Sequence, residues 1–166
     1  MIKDILNVHD FVCTFTKIDE DGIPHFIEVV TGDIVTTVGK NRAASQLANL
    51  GNLKTWFTHL ALGTNDDAES TEDVALGAEI YRVALDGVAG DGGAGDLNIV
   101  FAVGETVFGR AVIQADSVDA GIITVKELGL LDSLIGGNLI CRQVPNNELT
   151  FTGTEKLYIL WGVIVN

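Results

Sequence analysis

Apolar and polar residues alternate with a period of two along much of this chain, the pattern of strands that bury one face. In the first such segment, residues 11–17, Phe11, Cys13 and Phe15 share one side while Val12, Thr14 and Thr16 share the other. A second segment, residues 23–30, is equally rich in β-branched and aromatic side chains. Asp19, Glu20, Asp21 and Gly22 separate the two, and an Asp-Gly pair tolerates the positive φ of a tight turn, so an N-terminal β-hairpin is predicted.

The period changes at residues 40–50, where Ala43, Ala44, Leu47 and Leu50 recur at helical spacing and Gly51 is placed to end a helix. Strand character returns at 56–62 and breaks at Gly63, Thr64, Asn65, Asp66 and Asp67, a run of turn formers. Residues 71–82 read as a loop or short turn entering a strand at Ile80, although Glu79 and Arg82 would be neighbours on a helix. Residues 88–96 hold too many glycines to order cheaply and are predicted to be a flexible surface loop. Beyond them, 98–103, 107–114, 122–130 and 139–144 read as strands, each bounded by Gly, Asp, Asn or Pro.

The last segment, 156–165, differs from the others. Leu157, Ile159, Trp161, Val163 and Val165 lie on one side and Tyr158, Leu160 and Ile164 on the other, so both faces are apolar. Such a strand is central in a two-sided core or covered by another subunit. The whole predicts a mainly β protein, an antiparallel β-sandwich or jelly-roll-like barrel with one short helix at about residues 40–50 and an N-terminal β-hairpin. Residues 1–33 form the hairpin or arm and residues 34–166 a β-rich assembly domain, with no internal repeat and no linker.

Composition then narrows the partners. Ten Lys and Arg against 23 Asp and Glu leave a formal charge of −13, which disfavours phosphate backbones and anionic membrane surfaces. Nucleic acid and membrane are not expected partners. An acidic surface can also mark salt adaptation, but Lys exceeds Arg here and 47% of residues are hydrophobic. No apolar run approaches the roughly 20 residues that span a bilayer, and residues 1–10 lack the core of a signal peptide. A soluble product made in a cytoplasm is expected.

The candidate chemistry is sparse. Cys13 and Cys141 stand alone, without a C-x-x-C pair, and read as small buried hydrophobes, with a disulfide between them left open. His9, His25 and His59 sit in no nucleophile-elbow or zinc-protease pattern, and His59 reads as a satisfied core or interface residue. The acidic run 66–73 offers oxygen ligands but lacks the Asp/Asn ladder and central Gly of a helix-loop-helix calcium site, so it reads as a solvated loop. Gly92, Gly93, Ala94, Gly95 and Asp96 resemble a single calcium β-roll turn one residue short, and no strand-helix unit makes them a dinucleotide fingerprint. No catalytic residue, cofactor or metal is assigned, and an enzyme is not expected.

Four segments carry a resemblance. They are Ile34 to Asn41 (IVTTVGKN), Leu60 to Thr64 (LALGT), Asp73 to Arg82 (DVALGAEIYR) and Lys126 to Asp132 (KELGLLD). In this order and spacing, across roughly residues 34–142, they resemble the tail-collar fibre domain and its small relatives among tailed-phage structural proteins. The resemblance implies a virion component, in the family's best-known cases the domain that attaches a fibre to the tail baseplate. The chain departs from that pattern in its extra N-terminal hairpin and in lacking the long repetitive stalk and receptor-binding tip of a fibre.

The expectation is therefore a virion structural protein made in the host cytoplasm. A tail or baseplate fibre-attachment or tail-tip adaptor is preferred over a capsid decoration protein. A glycan-binding module is the reading of another class, since an exposed Trp56 or Tyr158 would stack on a sugar. Partners are other virion proteins and the chain itself, a homotrimer favoured from the doubly apolar last strand. Structural or interface roles fall to Glu79, Arg82, Glu127, Tyr158 and Trp161. Glu127, a carboxylate among strand hydrophobes, needs a cation or a hydrogen-bond donor, for which Arg82 or a backbone amide is the candidate.

Overall fold

A computed structural model describes residues 12–31, 34–41, 57–85, 99–103, 106–119 and 121–164. Its strands are β1 (Val12–Ile18), β2 (Pro24–Thr31), β3 (Ile34–Val35), β4 (His59–Gly63), β5 (Glu79–Ala84), β6 (Ile99–Val103), β7 (Thr106–Gln114), β8 (Ile122–Val125), β9 (Glu127–Leu131), β10 (Leu139–Gln143), β11 (Leu149–Thr152) and β12 (Lys156–Ile164). One sheet runs β2-β1-β12-β7-β6 and a second β3-β10-β9-β4-β5, with a separate β8-β11 pair. All the pairings are antiparallel. Both large sheets are open, so the architecture is a sandwich and not a closed barrel.

The core lies between the two sheets. Phe15, Ile159 and Trp161 of the first sheet and Leu60, Leu62, Leu128 and Leu130 of the second are fully buried in one cluster. Ile123, Val125, Leu149 and Phe151 of the β8-β11 pair belong to the same cluster. Cys13 and Cys141 are thiols buried in this cluster, the small-hydrophobe role their isolation suggested.

The period-two pattern explains the first sheet directly. Along β7 buried and half-buried residues alternate strictly, and in β1 buried Cys13 and Phe15 alternate with more exposed neighbours as far as Thr16. The predicted hairpin is present, with Gly22 at φ 82° in its turn and the Asp19 carboxylate accepting from the amides of Asp21 and Ile23. Within residues 1–33, β1 lies inside the sheet, paired with β12 from Val12 opposite Gly162 to Ile18 opposite Lys156. The doubly apolar last segment is the middle strand, flanked by β1 and β7.

Three local features differ from the sequence reading. Residues 37–41 are already helical, opening three residues ahead of Lys40. Thr36 explains this: its hydroxyl accepts from the Gly39 amide and its carbonyl from the Lys40 amide, which caps the first turn. The remainder of the predicted helix, Trp56 and the Gly-rich loop 88–96 lie outside the described residues. The single strand read at 122–130 is two strands in two sheets, divided at Lys126, whose amide turns aside to the Gly63 carbonyl. Finally, β11 was not read from the sequence, because four residues between turns give too short a period to register.

A carboxylate closes the turn before β12. Glu155 accepts from the amide of Thr152 at 2.8 Å and pairs with Lys17 at 3.1 Å, tying this turn to β1. The Thr152 amide, with Lys17 in support, holds the Glu155 carboxyl below its ordinary value of 4.5. A lowered folded value gives stability that is present above the unfolded value and lost as pH falls through the folded one. The Glu155→Gln variant is therefore expected to melt below wild type at neutral pH, with the gap closing as pH drops below about 4.5. Thermal unfolding across pH 7 to 2.5 checks this, and a gap independent of pH would refute it.

Candidate assembly surface

The two sheets treat their outward faces differently. On the second sheet the outward positions include Ala61, Glu127, Gly129, Leu131, Leu139 and Arg142, all buried. The connection from β4 to β5, residues 64–78, folds over them as a strap. Leu76 from the strap packs on Ala61, Leu131 and Leu139 as a second small core. Gly129 permits this, since a Cβ there would stand 2.8 Å from Leu139 Cδ1 and 3.0 Å from Leu76 Cδ2. Burying one leucine in this way stabilises by roughly 1.5–3 kcal/mol.

The polar half of the strap is held by Glu127, which is completely buried. Its Oε1 accepts from the Ala78 amide at 2.7 Å, and its Oε2 from the Gly77 amide at 3.0 Å and from Arg142 Nε at 3.0 Å. Arg142, 3% exposed, also donates through Nη1 to Asp73 at 3.0 Å. Burial alone would push the Arg142 guanidinium down, but hydrogen bonds to Asp73 and Glu127, with their charges, outweigh it and hold it above its ordinary value. At Gly63 a Cβ would sit 2.6 Å from Glu127 Cγ, so the β4 backbone can approach the carboxylate only as glycine.

The acidic run belongs to this structure. Asp66 pairs with Lys126 at 3.2 Å, Asp73 with Arg142, and Glu72 accepts from the Thr37 hydroxyl at 3.0 Å. Glu69 accepts from the Gln143 side chain and the Val144 amide. Lys126, bonded to Glu148 and Asp66, is held above its usual value, and Asp66 below its own by Lys126. The run is thus the solvated loop that its composition suggested, with no residue of 66–73 buried, and its carboxylates are in addition hydrogen-bonded to neighbouring elements. Among the described residues no three His, Cys, Asp or Glu side chains cluster as metal ligands.

Arg82 does not reach Glu127, for which it was a candidate partner. It forks to Glu79 through Nε at 2.8 Å and Nη2 at 2.6 Å, while Nη1 donates to the carbonyls of Ser133 at 2.6 Å and Gly136 at 2.8 Å. On a regular strand residues three apart face opposite ways. Here the register shifts, with Leu62 opposite Tyr81 and Gly63 opposite Glu79, and that extra residue turns Glu79 and Arg82 to the same face. The pair clamps the β9-β10 loop, where Asp132 also accepts from the Asn138 amide at 2.7 Å. Leu134 and Ile135, 58% and 87% exposed, form its tip.

The first sheet's outward face has a different character. Outward positions on β2, β1, β12 and β7 include Phe26, Val29, Val12, Tyr158, Leu160 and Val112, together with threonines. None of these outward positions is an Asp or Glu, and their charges are Arg110 and Lys156. Phe26 is 65%, Val29 47% and Val12 41% exposed. Tyr158 lies half-buried on this face, whereas Trp161, also named as a structural or interface residue, is a core residue with no exposure. His25 is exposed beside Asp19 at 2.8 Å, and the Thr58 hydroxyl lies 2.8 Å from His59 Nδ1. His9 lies outside the described residues.

Comparison with protein-family models, with curated proteins and with solved structures finds no match for this chain.

The strap gives a direct test. Arg142→Met leaves the Glu127 carboxylate buried without its cation, and breaking a buried pair in this way costs about 3–5 kcal/mol. Denaturant unfolding is expected to show that loss, with Glu127→Gln in the same chain recovering part of it, because the two residues form one unit. A loss below about 1 kcal/mol would mean the pair does not hold the strap.

Proposed function

We propose that this chain is a non-catalytic structural subunit of a tailed-phage virion, an exterior accessory piece that joins a fibre to the tail or baseplate or adapts the tail tip. One observation carries the reading. The four segments that resemble the tail-collar fibre domain are scattered over about a hundred residues, yet they meet in a single module. Residues 60–63 lie in β4, which pairs with β9 in segment 126–132 on one side and with β5, which begins in segment 73–82, on the other. Ile34 and Val35, in segment 34–41, join through β10.

Glu127 of the fourth segment is the hub: it binds the Gly77 and Ala78 amides of the third and packs on Gly63 of the second. Short motifs that share one buried carboxylate are constrained together, which is why their order and spacing carry more weight than any one of them. The surface chemistry agrees with an assembly role. Net charge of −13 opposes nonspecific clumping, while a sheet face without outward carboxylates and the Leu134-Ile135 tip supply places to dock.

A capsid decoration protein would present the same kind of body, and copy number separates the two. Quantitative mass spectrometry of purified particles from the phage that encodes this chain is expected to find it at a few to a dozen copies. Abundance near that of the major capsid protein would assign it to the capsid exterior, and absence from intact particles would overturn the virion reading.

A further inference from the structure

We propose that the outward face of β2 and β1 is a docking surface for a second copy of this chain. The inference goes beyond the virion reading and does not depend on it, since it concerns the isolated protein. It begins from the asymmetry of the sandwich. The strap covers the outward face of the second sheet with Leu76 and the Glu127 network. On the first sheet the described residues provide no such cover, and Phe26, Val29 and Val12 remain 65%, 47% and 41% exposed on one continuous surface.

Charge selects the occupant. Two bodies of net charge −13 repel, and the repulsion is weakest where neither presents a carboxylate at close range. The described outward positions of β2, β1, β12 and β7 carry Arg110 and Lys156 but no Asp or Glu, in a chain that has 23 of them. The same surface on a second copy is therefore a partner that meets no buried unpaired carboxylate, and apolar contact supplies the attraction. A basic partner would instead be drawn to the carboxylates elsewhere on the body. At the margin of the face, β2 is the edge strand of its sheet among the described residues, and its outward residues after Pro24 are uncharged, with no Lys among them.

The test uses the full chain at graded concentrations. Sedimentation equilibrium is expected to show reversible self-association that tightens when salt rises from ~50 to ~500 mM, because screening removes the repulsion between acidic bodies. Phe26→Asp and Val29→Asp, each with a melting temperature near wild type, are expected to weaken association roughly ten- to a hundredfold. Ile135→Asp, which alters the exposed tip of the β9-β10 loop, is expected to leave it unchanged. Hydrogen exchange of the unmodified chain covers the case of a variant that fails to fold: β1 and β2 amides are expected to gain protection as concentration rises. A monomer at every concentration, association abolished by Ile135→Asp, or protection gained only at residues 132–138 would each overturn the proposal. None of these results bears on whether the chain is found in virions.

Discussion

A carboxylate without exposure to water organises half of this molecule. Left ionised and alone, the Glu127 side chain would be strongly destabilising in the sandwich, so its two backbone amides and the Arg142 guanidinium are conditions of its being there. Those donors come from residues 77, 78 and 142, so satisfying one side chain fixes the strap, β9 and β10 relative to one another. Gly63 is required because the carboxylate stands against β4, and Leu76 is seated because the strap that carries it is pinned at its end. The acidic residues of the strap are then placed where Lys126, Arg142, Gln143 and Val144 can meet them.

The same arrangement accounts for the division of labour between the two sheets. With its outward face sealed by the strap, the second sheet serves as a rigid platform, and the Arg82 fork fixes on it a loop with two aliphatic side chains at its tip. The first sheet keeps a face whose described outward strand positions carry no Asp or Glu. A body with one sealed side, one open side and a fixed apolar projection suits a piece that is held between neighbours. That physical character underlies the proposed structural role in a virion, which the motif resemblance names more specifically.

Much of the architecture was legible in the period of the sequence. Alternation located β1, and β-branched and apolar runs between turn formers located β2, β7 and β12; β12, apolar on both faces, is the middle strand of its sheet, one face in the core and Tyr158 and Leu160 half-buried on the other. What escaped depended on partners distant in the chain. Lys126 divides one apolar run into β8 and β9 because its amide is taken by Gly63, 63 residues earlier, and nothing local announces that corner. Arg142 was missed as the cation for Glu127, although it stands alone in an apolar strand just as Glu127 does. Two opposite charges isolated in neighbouring strands were the available signal. Glu79 and Arg82 were seen as a pair through helical spacing, yet a bulge in β5 brings them together.

Composition read the acidic run 66–73 as solvated, and it is; what composition did not show are the distant partners that tie down the strap. Hydrogen exchange measured residue by residue by NMR tests directly whether the buried carboxylate holds it. If it does, the amides of Gly77 and Ala78, although they lie outside any strand, exchange only through global unfolding, as slowly as those in the middle of β12. Exchange of these two amides at the rate of an exposed loop, with β9 still protected, would contradict it.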